Sequence, residues 1–383
     1  MKIMIDVTPL MNTKTGIGYY TERLLTHLSK AAPKGTELVG FYYNFLGRRD
    51  ASRLPKAKNI RYTKMSLIPS KIVYQLRRWG IEFPLEFFTL EKADFVLYPN
   101  FLDHPSIFKT PSAPVIHDLT YVDLPQYVAP KLRKDLVRFA PRAMRRAGFV
   151  ITVSEFSKQK IVKEYGISPD KIVVTHIPAL PVIPMAQSKR IDHLKKLGIT
   201  KPFILFVGTV DPRKNILGLI DAYTKLPKAL REKFSLVLVG RVELTAEAEA
   251  AKIKEVKQQG YDVLHLGYIS DDAKDAVYQS ASLFVSASQY EGFGIPLLEA
   301  MSYSIPCAVS RIPVFTEVGG KAAAYFKPDD PEDIASVMTE LLRDPRRAAR
   351  LAKQGHDHAA SYSWETVANS VLKQIENSLA LKD

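Results

Sequence analysis

The chain has 383 residues, 46% apolar and 25% charged, which suits a soluble protein of two domains and leaves no run near the roughly 20 apolar residues of a membrane span. Formal net charge is +14, nearly all of it in residues 1–180, where 28 Lys/Arg face 15 Asp/Glu against 26 and 25 in residues 181–383, so the first half is expected to meet an anionic surface. One cysteine, Cys307, excludes a disulfide framework, and Asp6 inside the first apolar run argues against a signal peptide, so a cytoplasmic location is expected.

In chain order, short apolar runs predict strands over residues 3–7, 38–43, 95–98, 115–117, 149–153 and 172–176, with helices over 18–30, 131–146 and 157–165. Pro178, Pro181 and Pro184 then mark a seam. Beyond it the alternation is cleaner, with strands over 203–208, 236–240, 263–267, 283–286, 307–310 and 323–326. Helices fill 215–226, 246–259, 271–281, 296–303 and 331–343. The strand runs are short and mostly unalternating, as strands covered on both faces should be. Strand and helix in alternation argue for βαβ units and parallel sheets. The expected architecture is α/β: two doubly wound, Rossmann-like domains, residues 1–180 and 184–363, facing across a cleft with ligand at the carboxyl ends of the strands. The last helix, within 364–383, is expected to pack back on the first domain.

The most informative stretch is Tyr290-Glu291-Gly292-Phe293-Gly294-Ile295-Pro296-Leu297-Leu298-Glu299. Pro296 suits the first position of a helix, and the amides around Phe293, Gly294 and Ile295 would point out of that helix start toward an oxygen-rich or anionic ligand. Gly292 and Gly294 permit close approach to the backbone. Glu291 in the loop and Glu299 one turn into the helix can accept hydrogen bonds from vicinal hydroxyls, so a sugar attached to a nucleotide fits the set. Each carboxylate alone also reads as a solvated loop charge or a glutamate favoured by the helix dipole.

With Glu291 and Glu299 in this frame, the chain resembles the retaining family-4 glycosyltransferases of the GT-B fold. Phe206-Val207-Gly208-Thr209-Val210-Asp211-Pro212-Arg213-Lys214-Asn215 resembles that family's diphosphate-binding loop, and Val115-Ile116-His117-Asp118 its first-domain histidine segment. The resemblance implies that Glu291 holds hydroxyls of the donor sugar with the amides of Phe293 to Ile295, and that Glu299 takes the ribose hydroxyls. It further implies that Arg213 and Lys214 neutralise the departing diphosphate, that His117 touches the donor sugar, and that Gly16 and Gly18, in the loop after the first strand, let the backbone approach donor or acceptor. The base is expected near Tyr268 and Ile269. The chain departs from the family where Thr209 follows Gly208 in place of an arginine, a charge that Arg213 can supply. Among relatives, the motifs look most like bacterial mannosyltransferases of polysaccharide and lipopolysaccharide assembly, which implies GDP-mannose as donor and a glycan or lipid-linked saccharide as acceptor.

No Asp-x-Asp motif occurs in the sequence, so fixed cations rather than a metal are expected to meet the leaving charge, and neither metal nor cofactor is assigned. His356-x-His358 reads as helix surface. Gly16-Ile17-Gly18 lacks the third glycine of a dinucleotide fingerprint. A nucleotide-sugar epimerase or a phosphorylase on the same scaffold is the second reading, since fold does not fix function. A nucleic-acid binder is a third, weighed against by charge confined to one half without a recognised motif. Two basic stretches, residues 69–92 with aromatics and 131–146, are candidates to meet an anionic bilayer; the alternative is a partly buried helix with a solvated basic face.

Overall fold

In the computed structural model, which describes residues 1–11, 16–47, 50–52, 54–243 and 246–381, the chain divides into two compact units. The first comprises Met1–Ile177 with Ser363–Asp383, and the second Pro178–Tyr362. Residues 382–383 of the last predicted segment lie outside the described residues.

The first unit holds β1 (Lys2–Asp6), β2 (Glu37–Tyr43), β3 (Ile60–Met65), β4 (Phe95–Tyr98), β5 (Ser112–Ile116), β6 (Val150–Thr152) and β7 (Ile172–Val174). They form one parallel sheet in the order β3-β2-β1-β4-β5-β6-β7. The inner strands are buried along their length, which is why they read as continuous apolar runs. β3 does not: as an edge strand it is mostly half-exposed, and its Arg, Thr and Lys masked it in the sequence.

The helix Gly16–Ala31 buries Tyr20, Leu24 and Leu28, spaced to share one face. Gly16 and Gly18 therefore lie in its first turn rather than in the loop after β1. The final helix, Trp364–Ala380, starts at Ser363, whose side chain accepts from the amides of Glu365 and Thr366. It packs on the helix Gly16–Ala31, with Trp364 5.8 Å from Tyr20 and stacked 6.0 Å from His27. A Cβ on Gly148 would lie 2.4 Å from Ser378 Oγ, so the helix passes close to the backbone there.

The second unit holds β8 (Phe203–Val207), β9 (Ser235–Val239), β10 (Val263–His265), β11 (Leu283–Ser286), β12 (Cys307–Ser310) and β13 (Ala324–Phe326). This sheet is also parallel, in the order β10-β9-β8-β11-β12-β13. Its core joins Ile204, Leu236, Leu238 and Val285 to Ile216, Leu219 and Ile220 of the helix Ile216–Lys225 and to Met338 and Leu341 of the helix Pro331–Arg343. His356 and His358 sit on the helix Pro345–Ala359 but are not idle surface: His356 bonds the Ser302 carbonyl and His358 the Val318 carbonyl, tying that helix to its neighbours.

In both sheets the strand order reverses beside the first strand of the unit, between β1 and β4 and between β8 and β11. The carboxyl edge at such a switch point is where ligands of open α/β sheets bind.

Candidate active site

At the switch point of the second sheet, two loops meet. The first leaves β8 through Gly208, whose φ of +154° is poorly tolerated by L side chains. Gly240, after β9, has φ +143°, and a Cβ there would fall 1.9 Å from the Gly208 carbonyl oxygen. This pair of glycines lets the loops after β8 and β9 touch backbone to backbone; Thr209 follows at the same contact. Asp211 then caps a short turn, Pro212–Lys214, by accepting from the Arg213 amide at 3.1 Å. Asn215 in the left-handed region caps the helix Ile216–Lys225.

The second loop leaves β11 and carries Ser288, Gln289, Tyr290 and Glu291. The Gln289 amide donates to the Arg213 carbonyl at 2.8 Å, which fastens one loop to the other. Glu291, buried to 7% exposure, then takes three donors. Lys214 Nζ and Ser288 Oγ donate to Oε1, the latter at 2.9 Å, and Arg213 Nη1 donates to Oε2 at 3.1 Å. Arg213 also donates to the Tyr290 carbonyl and lies 3.5 Å from Asp211 Oδ2. Burial would raise the Glu291 carboxyl, but the Lys214 and Arg213 charges with the Lys214 and Ser288 hydrogen bonds outweigh it and bring it down to about 2. Burial lowers the Lys214 ammonium despite the opposing pull of Glu291. Burial likewise pushes the Asp211 carboxyl up against Arg213 and Lys214. Two cations and two carboxylates thus sit together, Lys214 and Glu291 buried and Arg213 and Asp211 half-buried, each cation shared with an acid. An anion entering here can draw on both cations without either being brought in from solvent.

Beyond Glu291 the chain turns through Gly292, Phe293 and Gly294 into the helix Ile295–Ser302. Gly294 is its N-cap at φ +93°, and a Cβ there would lie 2.6 Å from the Phe315 ring. Phe293 is buried and packs edge-on against Tyr362. At the helix start the Leu297 amide donates to the Gly294 carbonyl at 3.0 Å, and Pro296 has no amide. Glu299, one turn on, is held separately: Tyr278 OH donates to Oε2 at 2.8 Å and Lys274 Nζ to Oε1 at 3.3 Å. After β10, Tyr268 is exposed with the Arg241 guanidinium 4.9 Å over its ring, and Ile269 beside it is half-buried. Arg241, which follows Gly240, was not singled out by sequence reasoning; its signal was a cation directly after a strand-ending glycine.

The residues assigned to the first half are in the first unit. His117 follows β5, and its Nε2 donates to the Pro99 carbonyl at 3.1 Å. Its ring meets Tyr20 edge-on at 5.1 Å and Phe101 at 5.8 Å. Burial lowers its pKa, opposed in part by Pro99 and Asp118, so the neutral imidazole prevails with Nδ1 as an acceptor. Gly18 is buried, whereas a Cβ on Gly16 would meet open space.

Part of the basic surplus is neutralised internally. Arg77 is buried against Glu82 and Asp103, Arg78 pairs with Asp135, and Arg146 with Glu82 and Asp103, which joins the helices Ser70–Arg78 and Pro130–Arg146. Lys131, Lys134, Arg142 and Arg145 stay exposed, as do Ile72, Trp79, Ile81 and Leu132 nearby in sequence or in these helices. Among the described residues no helix is long and apolar enough to cross a membrane, and no group of three or more His, Cys, Asp or Glu is placed to hold a metal ion.

Comparison with known proteins matches residues 189–358 to the family Glycosyl transferases group 1. O-antigen chain mannosyltransferase B of Escherichia coli is 28% identical over 388 aligned residues, covering 97% of this chain and 98% of that protein. Among solved structures, sucrose-phosphate synthase (tll1590) from Thermosynechococcus elongatus aligns with a TM-score of 0.72 at 19% identity over 100% of this chain and 99% of that one. Anabaena Alr3699/HepE in complex with UDP and glucose aligns with a TM-score of 0.67 at 16% identity over 98% and 100%. With the two parallel sheets, these likenesses establish the fold as GT-B.

Proposed function

This chain is a glycosyltransferase with a group 1 domain, and from that premise we propose that it moves mannose from GDP-mannose onto a glycan or lipid-linked saccharide, with retention and without a metal. The Lys214–Glu291–Arg213 cluster at the switch point, with Lys214 and Glu291 buried, carries this reading. Breaking the sugar–phosphate bond builds negative charge on the diphosphate, and Lys214 and Arg213 meet it as fixed cations. Glu291 and the amides from Phe293 to Ile295 orient the sugar, and Glu299 takes the ribose hydroxyls. Tyr268 and Ile269 border the base. No carboxylate is assigned as nucleophile; the acceptor attacks the face from which the diphosphate leaves, and a departing phosphate oxygen takes the acceptor proton. In the first unit, His117 with its unprotonated Nδ1 suits acceptance from a saccharide hydroxyl. The mannose assignment draws on the full-length likeness to an O-antigen mannosyltransferase.

A thermal-shift panel of GDP-, UDP- and ADP-sugars, with and without EDTA, tests this. GDP-mannose is expected to give the largest rise in Tm, unchanged by EDTA, and Glu299→Ala is expected to lose most of it. A larger rise with a UDP-sugar overturns the donor, and a rise abolished by EDTA overturns metal independence. Conversion of a free nucleotide sugar to its epimer without acceptor favours the epimerase reading.

The first unit is read as the part that meets an anionic membrane at the cytoplasmic face. Trp79, 70% exposed, caps the helix Ser70–Arg78 and Ile81 follows it; Arg78 ties that helix to Asp135 of the helix bearing Lys131, Lys134 and Arg142. Apolar insertion beside exposed cations is the combination that binds anionic bilayers. In liposome flotation, the protein is expected to rise with anionic vesicles at low salt and lose this with Trp79→Ser; indifference to anionic lipid removes the membrane assignment.

A further inference from the structure

Glu299 is held by an arrangement that the donor assignment alone does not require. Lys274 and Tyr278 stand four residues apart on the helix Asp271–Tyr278, so they share one face. Glu299 and Tyr303 are likewise four apart, at the helix Ile295–Ser302 and its C-cap. The two pairs interlock. Tyr278 OH reaches Glu299 Oε2 at 2.8 Å, and Lys274 Nζ reaches Oε1 at 3.3 Å. The Tyr278 ring stacks on Tyr303 at 5.0 Å and 5° between planes, and Tyr303 OH donates to Asp275 at 2.6 Å. Tyr278 is 1% exposed, so its ring has no room to swing.

We infer that Tyr278 and Lys274 are positioning residues that fix the plane of the Glu299 carboxylate, making it a reader of the ribose 2′-hydroxyl that separates ribonucleotides from 2′-deoxyribonucleotides. The inference rests on the assignment of Glu299 to the ribose. Each carboxylate oxygen offers two lone pairs, and here Oε1 accepts from Lys274 and Oε2 from Tyr278, so one acceptor direction per oxygen is left. That is the number a vicinal diol needs, and the pinned plane fixes where those directions point. Burial and the Glu299 charge raise the Tyr278 phenol well above its ordinary value, so it stays a donor across the working pH range. A carboxylate already pinned in place discriminates by geometry, because a missing 2′-hydroxyl leaves one of its acceptor directions unfilled.

The test is calorimetric titration of the full chain with GDP and 2′-deoxy-GDP, and in parallel UDP and 2′-deoxy-UDP, for the wild type, Tyr278→Phe, Lys274→Met and Glu299→Gln. For the base that binds, the wild type should prefer the ribonucleotide by about tenfold. Tyr278→Phe and Lys274→Met should shrink that preference to roughly threefold or less, because the 2′-hydroxyl loses its fixed acceptor. A general loss of packing weakens ribo and deoxy forms alike and does not move the ratio. Should Tyr278→Phe fail to fold, Lys274→Met, whose side chain is partly exposed, carries the test alone. An unchanged ratio in the folded variants, with Glu299→Gln abolishing it, overturns the positioning role and spares the ribose assignment. An unchanged ratio in Glu299→Gln, or no preference in the wild type, overturns both.

Discussion

Replacing Lys214 by alanine is expected to cut turnover sharply and to lower the melting temperature of the protein by about 10 °C. The ammonium is buried and bonds Glu291, which is itself buried; its removal leaves a carboxylate out of water with only Arg213 and Ser288 to satisfy it. Breaking a buried pair from one side costs about 3–5 kcal/mol. Loss of a preorganised cation opposite the leaving diphosphate should lower kcat on the order of 10²–10³-fold. The pH dependence separates this from simple disruption. In the wild type the Glu291 carboxyl is depressed from 4.5 to about 2, so its stabilisation is complete above 4.5 and lost as pH falls toward 2. In the variant, burial is less opposed and protonation relieves the uncompensated charge. The gap in Tm between the two should therefore narrow as pH drops below 4.5. Removing both charges, in Lys214→Met with Glu291→Gln, should restore most of the stability and none of the activity.

Gly240→Ala is expected to destabilise the protein by about 4 kcal/mol and to depress donor binding with it. The new Cβ would lie 1.9 Å from the Gly208 carbonyl oxygen and 3.2 Å from the Thr209 amide, both backbone atoms, at a φ of +143°. Since no side chain can move aside, the loop after β8 must shift, and Arg213 and Lys214 shift with it. Gly260→Ala is the control. Gly260 also has a positive φ, +85°, but a Cβ there meets nothing within 4 Å, so it should cost only about 1–2 kcal/mol and leave donor binding intact. Denaturant unfolding of the three proteins measures both; equal losses would show that backbone conformation, not the contact with Gly208, makes Gly240 necessary.

What the sequence made legible follows the strength of burial. The runs over 283–286 and 307–310 coincide with β11 and β12 because those strands are buried on both faces and nothing polar interrupts them. β3 escaped because an edge strand needs only one apolar face. The helix Ser70–Arg78 read as a basic, aromatic stretch, since its cations serve ion pairs to residues such as Asp103 and Asp135 that lie far away in sequence. At the candidate site, residue types and helix start were visible from Gly294, Pro296 and the two glutamates. The union of Lys214 with Glu291 was not: the partners are 77 residues apart, and only the strand order that sets β8 beside β11 brings them together. Gly240 and Arg241 stayed hidden for the same reason, because their roles arise between neighbouring strands.

A crystal structure of the protein with intact GDP-mannose tests the central claim most directly. Diphosphate oxygens are expected within about 3 Å of Lys214 Nζ and the Arg213 guanidinium, with the ribose hydroxyls on Glu299. Density for the nucleotide sugar elsewhere, with the bond between Lys214 and Glu291 untouched and Glu299 still bonded only to Tyr278 and Lys274, would contradict it.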